Sequence, residues 1–173
     1  MSGPWQIVFQ TGRGAPATAT FPQLDDFRNN ADPGIRYFSG IASYAKDVDI
    51  PPSAITSGHL WLNLGQVDDL AEVWINGKLS GVAWKPPYRV DISASVQPAA
   101  NHIEIKVVNL WVNRLIGDVQ PGVTEKITFT AADGIIPPGI PRPRSASMPY
   151  KPDAPLRPSG LIGPVTIVDE ARR

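Results

Sequence analysis

The chain has 173 residues, a length typical of one domain with one core. Hydrophobic residues make up 42% and charged residues 18% of the chain, a composition that excludes disorder over most of its length. Lys plus Arg and Asp plus Glu number 16 each, which leaves no basic surplus for nucleic acid, and the absence of Cys excludes disulfides and thiolate metal sites.

The sequence contains no membrane or export signal. No apolar run approaches the roughly 18 residues that span a bilayer, and the amino terminus lacks the basic flank and apolar stretch of a signal peptide. We therefore expect no membrane partner. A domain cut from a longer secreted protein would look the same, so the compartment stays open.

Proline and glycine, at 19 and 15 residues, predict short strands joined by turns rather than long helices. Alternation of apolar and polar residues predicts at least eight strands. They cover Trp5 to Phe9, Gly40 to Ile50, Leu60 to Leu64, Ala71 to Ile75, Tyr88 to Ile92, Ile103 to Val107, Lys126 to Thr130 and Leu161 to Val168. Asn76-Gly77 predicts a hairpin turn, and the only helical piece expected is a turn or two at Leu24 to Arg28.

Strands at this spacing predict an all-β fold, an antiparallel β-sandwich or barrel, in a single domain over residues 1–173. One segment differs from the rest, because Pro137 to Pro158 holds eight prolines. Proline cannot donate to a sheet ladder, so this segment is predicted to be a long loop inserted before the last strand. Loops of this length are usually functional or disordered.

Catalytic motifs are sparse. The chain has no phosphate-binding glycine loop, no His-Glu-x-x-His and no Gly-x-Ser-x-Gly. His59 and His102 lie at strand starts on the face away from the core, so a histidine-based triad or metal centre is not expected. The adjacent acids Asp25-Asp26 and Asp68-Asp69 fit caps and turns better than the paired carboxylates of a glycosidase.

Aromatic residues provide a first group of candidate ligand-binding side chains. Trp84, Tyr88 and Trp111 lie at strand ends or in loops, where a flat ring can stack on the apolar face of a pyranose. Packing under the proline-rich segment explains Trp84 equally well. Trp61 and Trp74, inside strands, are expected to pack against the core.

A second group comes from the densest polar cluster, the run from Asn109 to Asp118, which is predicted to be a loop after a strand. Asn113, Arg114 and Asp118 offer amide, guanidinium and carboxylate groups that can bond to vicinal hydroxyls. Arg114 and Asp118 can equally pair with each other and hold the loop. Both interpretations stay open at this point.

Six runs of residues occur in an order known from one family. They are Gly3-Pro4-Trp5, Gly34 to Gly40, Leu60 to Gly65, Ala71 to Gly77, Asn109-Leu110-Trp111 with Asn113 to Asp118, and Ser159 to Val165. Together these runs resemble the sugar-binding jelly-roll domain of glycoside hydrolase family two. The likeness is greatest to the copy at the end of large bacterial α-L-rhamnosidases.

The resemblance implies a galactose-binding-like jelly roll that accompanies a catalytic domain. It implies a non-catalytic carbohydrate-binding domain for plant or microbial polysaccharide or glycoside, secreted or periplasmic, without a cofactor. Domains of this fold often hold a structural Ca²⁺, but the sequence shows no diagnostic acid spacing for one. In some relatives the loops contact sugar in a neighbouring active site, which makes Asn113, Arg114 and Asp118 the positions to test.

Two other functions remain as alternatives. The domain could be a docking module or subunit of a larger sugar-active enzyme, with Pro137 to Pro158 as the docking element. It could also be a small stand-alone enzyme acting on glycosides or polyuronides. Catalysis does not carry over from the family, because no catalytic domain is present in this sequence.

Overall fold

The structure is a computed structural model that describes residues 1–56, 58–128 and 150–171. The strands are β1 (Trp5–Phe9), β2 (Thr18–Phe21), β3 (Gly40–Ile50), β4 (Gly58–Asn63), β5 (Gln66–Val67), β6 (Leu70–Ile75), β7 (Lys78–Ala83), β8 (Arg89–Asp91), β9 (Ala99–Asn109), β10 (Leu161–Gly163) and β11 (Thr166–Ala171). The helices are a 3₁₀ turn (Phe27–Asn29), α1 (Pro33–Arg36), α2 (Pro52–Thr56) and α3 (Val112–Gly117). No helix in the described part of the chain has the length and apolarity to cross a membrane.

The strands form two layers around one core. A six-stranded sheet has the order β2-β1-β3-β9-β6-β7, and the other layer consists of the sheets β11-β4-β8 and β10-β5. Alternate side chains of both layers, such as Leu62 of β4 and Ile105 of β9, are fully buried in a single hydrophobic cluster. Pairing between these strands is antiparallel. The predicted all-β sandwich with jelly-roll, galactose-binding-like character is confirmed.

The longest ladder positions the region of interest. β3 and β9 pair over eleven residues each, and the ladder ends where Gly40 lies opposite Asn109. Asn109 is buried, and its Oδ1 accepts a hydrogen bond of 2.7 Å from the amide of Gly160 and one of 3.0 Å from the hydroxyl of Ser159. The end of β9, from which α3 follows, is therefore fastened to the segment that leads into β10.

Several sequence predictions need correction. The run from Asn109 to Asp118 contains helix α3 instead of a loop, since Leu115 donates to the carbonyl of Trp111 and Asp118 to that of Arg114. The helical piece near Leu24 to Arg28 is a single 3₁₀ turn that Asp26 caps by accepting from the amide of Arg28. β2, α1 and α2 were not predicted at all.

The predicted strand from Lys126 to Thr130 is also wrong. Residues 126–128 are not in a strand, because the amide of Thr128 bonds to the side chain of Asp118 and not to a neighbouring strand. Residues 129 and 130 lie outside the described residues.

The proline-rich segment is described only in part. Residues 137–149 of the predicted insertion lie outside the described residues, while residues 150–158 form neither strand nor helix. The carbonyl of Pro152 accepts a hydrogen bond from Gln120, and Arg157 bonds through its main chain to Asn113. This described part therefore packs along α3.

Candidate functional site

Helix α3 carries two of the predicted site residues, and Asp118 follows its last residue directly. Asn113, Arg114 and Asp118 are 3%, 6% and 1% exposed. Polar groups at that depth need partners, because an unpaired buried group costs about 1–3 kcal/mol. The partners of each side chain decide whether it can still bind a ligand.

Asn113 is satisfied by the main chain of the proline-rich segment. Its Nδ2 donates to the carbonyl of Arg157 and its Oδ1 accepts from the amide of the same residue, both at 2.8 Å. The side-chain amide of Asn113 thus links α3 to the irregular segment before β10. Its hydrogen bonds are directed at protein, not at solvent.

Arg114 and Asp118 form an ion pair one helical turn apart. Nε of Arg114 lies 3.0 Å from Oδ1 of Asp118, whose Oδ2 accepts from the amide of Thr128 at 2.7 Å and from its hydroxyl at 2.5 Å. The internal pairing considered from the sequence is present. No described residue accepts a hydrogen bond from Nη1 or Nη2 of Arg114, so two charged donors of a nearly buried side chain remain unpaired.

These two donors belong to a pocket of about 550 Å³, which we call the Arg114 pocket. It is lined by residues of α1, α3 and the loops beside them, namely Gly14, Pro33, Gly34, Arg36, Tyr37, Arg114, Gly117, Gln120, Pro121, Gly122, Val123, Glu125 and Ile127. The guanidinium carbon of Arg114 lies 5.9 Å from the centroid of the Tyr37 ring. Half-buried Arg36 and exposed Glu125 add one charge of each sign.

The lack of a side chain at Gly117 leaves space for the guanidinium of Arg114 and the ring of Tyr37. A Cβ at Gly117 would lie 2.5 Å from Nη2 of Arg114 and 2.6 Å from Cβ of Tyr37, closer than real contacts allow. Any larger residue there would push the guanidinium or the Tyr37 ring out of place. The Gly117 of the Asn-Arg-Leu-Ile-Gly-Asp run therefore makes room for the arginine.

A smaller pocket of about 210 Å³ lies on the other side of α3, and we call it the Asp68 pocket. Its lining residues are Asp68, Asp69, Leu110, Val112, Asn113, Arg157, Pro158 and Ser159. Burial raises the pKa of Asp68, and the nearby charges of Asp26 and Asp69 raise it further. Oδ2 of Asp68 is buried without a hydrogen-bond partner among the described residues.

The predicted aromatic residues line neither pocket. Trp84 is 63% exposed with Nζ of Lys85 5.0 Å from its ring centroid, and Tyr88 is half-buried against the core. Trp111 is 42% exposed and lies under the guanidinium of Arg13 at 4.6 Å. The structure does not bring these rings together with the free donors of Arg114, and their role in sugar binding stays a prediction.

Arg36, Tyr37 and Gln120 were missed by the sequence analysis as site residues. They come from segments far apart in the chain, and only the run Gly34 to Gly40 was singled out, as part of the resemblance. In residues 1–56, 58–128 and 150–171 no group of three or more His, Asp or Glu side chains could hold a metal ion.

Solved structures with the same fold belong to much larger enzymes. A rhamnosidase from Novosphingobium sp. PP1Y is 46% identical, with a TM-score of 0.83 over 96% of this chain and 14% of that one. A β-glucuronidase of Ruminococcus gnavus, at 21% identity and a TM-score of 0.53 over 63% of this chain and 20% of that one, shares the fold.

A relative found by sequence is also much longer than this chain. A putative β-glucuronidase of Formosa agariphila is 40% identical over 119 residues, which are 68% of this chain and 10% of that protein. The chain thus spans only a small fraction of the enzymes it matches, as an accessory domain does. The family model described as glycosyl hydrolase 2 galactose-binding domain-like matches residues 29–123. This chain belongs to that glycosyl hydrolase 2 galactose-binding domain-like family.

Proposed function

We propose that this chain is a non-catalytic carbohydrate-binding domain that accompanies a glycoside hydrolase and binds sugar in the Arg114 pocket. The observation that carries the proposal is the pair of unpaired Nη donors on a guanidinium that is only 6% exposed. Arginine presents its donors in a planar array that matches two neighbouring oxygens, such as vicinal hydroxyls or a carboxylate. A bound sugar would supply the partners that the protein does not.

The size and lining of the pocket support a small polar ligand. Ligand pockets commonly have about 300–1,000 Å³, combine apolar walls with a few polar groups, and often contain an aromatic ring. The Arg114 pocket has about 550 Å³, the ring of Tyr37, and polar groups from Arg36 and Glu125. A ring of this kind can cover one face of a pyranose while the charged groups bond to hydroxyls.

A binding role without catalysis is supported by the acids of this pocket. Glycoside hydrolysis usually needs two carboxyl groups about 5–10 Å apart across the scissile bond. Glu125 is the one acid among the described residues that line the Arg114 pocket. Since the chain covers 14% and 10% of the two enzymes with higher identity, hydrolysis would belong to another domain.

Calorimetric titration of the purified chain with mono- and oligosaccharides tests the proposal. We expect micromolar to millimolar binding that Arg36→Gln weakens and Arg114→Lys weakens more, because lysine lacks the planar donor array. Asp69→Asn, in the Asp68 pocket, is the matched control and should bind like the wild type. The absence of binding to neutral and acidic sugars alike would overturn the proposal.

A second candidate function, docking, is favoured by an apolar row on the outer face of the six-stranded sheet. Val8, Ile41 and Val108 are 53%, 42% and 37% exposed, Ile41 lies opposite Val108, and Val8 lies opposite Ser43, diagonal to Ile41. Exposed apolar groups side by side commonly mark an interface. We assign the row to the catalytic part of a glycoside hydrolase, because the matched enzymes are seven to ten times longer than the region they share with this chain.

Size-exclusion chromatography with the Novosphingobium rhamnosidase lacking its matching domain tests this second candidate. The wild-type chain should co-elute with it, and Ile41→Lys should not. Val168→Lys, at a similarly exposed position on the other layer, should behave like the wild type. Equal behaviour of the two variants would contradict docking through the row. The docking role predicted for Pro137 to Pro158 stays a prediction.

A further inference from the structure

A chain of contacts lies behind the guanidinium of Arg114. Its Nε lies 3.0 Å from Oδ1 of Asp118 in an ion pair in which neither atom makes a hydrogen bond, and Asp118 is in turn held by the amide and hydroxyl of Thr128. Side-chain rotation of Arg114 would break a buried ion pair, which is costly. Nη1 and Nη2 are therefore the donors available to a ligand, and they are oriented before the ligand arrives.

The charges around these donors favour an anion. Asp118 offsets one positive charge from behind, while Arg36 adds a second guanidinium whose Nε is occupied by the carbonyl of Asn30 at 2.9 Å. The opposing carboxylate in the lining is Glu125, which is exposed. Since Asp118 offsets the charge of Arg114, the positive charge left in the lining is that of half-buried Arg36, which water screens less than the exposed carboxylate of Glu125.

We infer that the Arg114 pocket selects an acidic sugar, a uronic acid, whose carboxylate accepts hydrogen bonds from Nη1 and Nη2 of Arg114. This inference rests on the proposed carbohydrate-binding function and names the ligand class for it. A carboxylate has two oxygens in a plane, the geometry that the end of a guanidinium matches with two parallel bonds. A neutral sugar offers only uncharged acceptors to the same donors, so its bonds lack the attraction between opposite charges that a carboxylate adds.

The remaining lining suits the hydroxyl groups of a uronic acid. Nε2 of Gln120 donates to the carbonyls of Ile116 and Pro152, so its Oε1 is left as an acceptor. The carboxylate of Glu125 at the rim is a second acceptor. Sugar hydroxyls can donate to both while the sugar carboxylate lies on Arg114.

The Asp68 pocket shows the contrast that makes this a selective site. Asp68 and Asp69 line it together with Arg157, so a uronate placed there would meet two carboxyl groups of like charge beside one guanidinium. Acids outnumber the arginine in the lining of the Asp68 pocket, whereas arginines outnumber the acid in the lining of the Arg114 pocket. Of these two pockets the Arg114 pocket is the more favourable one for an acidic sugar, whereas a neutral sugar meets no charge preference.

Titration calorimetry with D-glucuronate, its uncharged methyl ester and D-glucose tests the inference. We expect the acid to bind at least about tenfold more tightly than the ester or glucose, and the difference to shrink at high salt. Arg114→Lys should reduce the affinity for glucuronate about tenfold and the affinity for the ester by less, because the ester does not form the two parallel bonds of a carboxylate with a guanidinium. Asp69→Asn should leave both affinities unchanged.

The outcomes separate the inference from the proposed function. Equal binding of acid, ester and glucose would overturn the acidic-sugar inference and keep carbohydrate binding. No binding of any sugar would overturn both. Because Arg114→Lys alters a buried pair, its fold is checked by thermal unfolding, and Arg36→Gln provides an independent test: glucuronate affinity that does not fall in this variant also overturns the inference.

Discussion

The two pockets beside α3 are built from neighbouring residues of one helix and have opposite character. Asn113 lines the Asp68 pocket and Arg114 lines the Arg114 pocket, and both side chains are buried. The amide of Asn113 has its partners in the main chain of Arg157, whereas two donors of Arg114 have none among the described residues. Burial of a polar side chain therefore does not by itself favour a ligand site, and the unpaired donors of Arg114 are the observation on which the proposed site rests.

The pockets also differ in how their charges are compensated. Arg114 keeps a carboxylate partner, Asp118, inside the protein. Asp68 has acids as neighbours, so burial and the charges of Asp26 and Asp69 raise its pKa. One side of the helix thus has a cation beside an internal counterion, and the other has a carboxyl group whose pKa is raised. Four substitutions test this contrast and an exposed ring outside both pockets.

The largest effect should come from Asp118→Asn. The change removes the negative partner of a buried guanidinium, and breaking such a pair costs about 3–5 kcal/mol. We expect the free energy of unfolding in urea to fall by about 3 kcal/mol. Glu125→Gln, an exposed acid lining the same pocket, should change it by less than about 0.5 kcal/mol. Equal effects of the two changes would show that the Arg114–Asp118 pair contributes nothing special.

Asn113→Ala should have the next largest effect. It leaves the amide and the carbonyl of Arg157 without partners, and two hydrogen bonds of about 1 kcal/mol each predict a loss of about 2 kcal/mol. Urea unfolding measures it. The control is Asn29→Ala, which removes one exposed bond to Asp25 and should cost much less. A loss below that of the control would mean that the link to residues 150–158 is not needed.

Asp68→Asn should change the pH dependence of stability. Because the folded protein raises the pKa of Asp68, this group stabilises the fold most below its unfolded pKa, and that contribution is lost as the pH rises through the folded pKa. The melting temperature of Asp68→Asn relative to wild type should therefore increase from pH 4 to pH 7, by about 2 °C. The exposed acid variant Asp153→Asn should show no such trend; a relative melting temperature of Asp68→Asn that falls toward pH 7 would contradict the assignment.

Trp84→Ala should have the smallest effect. The ring is 63% exposed and lines neither pocket, so we expect a change in unfolding free energy of less than about 0.5 kcal/mol and unchanged glucuronate affinity. Calorimetry and urea unfolding on the same variant measure both. A clear loss of sugar binding would move the binding site to the β7–β8 loop and away from α3.

Much of the fold could be predicted because strand alternation is a local signal. Leu60 and Leu62, or Ile103 and Ile105, alternate with polar residues, and the structure buries them as the alternation predicts. The residues of β2 and of the short helices show no comparable alternation of apolar and polar side chains. The strand at Lys126 to Thr130 failed because Thr128 finds its hydrogen-bond partner in Asp118, ten residues earlier, and local pattern does not contain that contact.

The candidate site could be predicted only in part for the same reason. The run from Asn113 to Asp118 was recognised as a polar cluster, and the pairing of Arg114 with Asp118 was one of two interpretations. Which donors of Arg114 stay free depends on Thr128 and Tyr37, which approach from other segments. That information exists only after folding.

The sequence alone determined the fold class, the family resemblance and the short list of polar residues, because alternation, turn residues and motif order are properties of neighbouring positions. The tertiary structure alone decided that the side-chain amide of Asn113 is paired with the main chain of Arg157, and that two donors of Arg114 have no partner among the described residues. The physical reason is that hydrogen-bond partners and desolvation depend on distances between segments far apart in the chain.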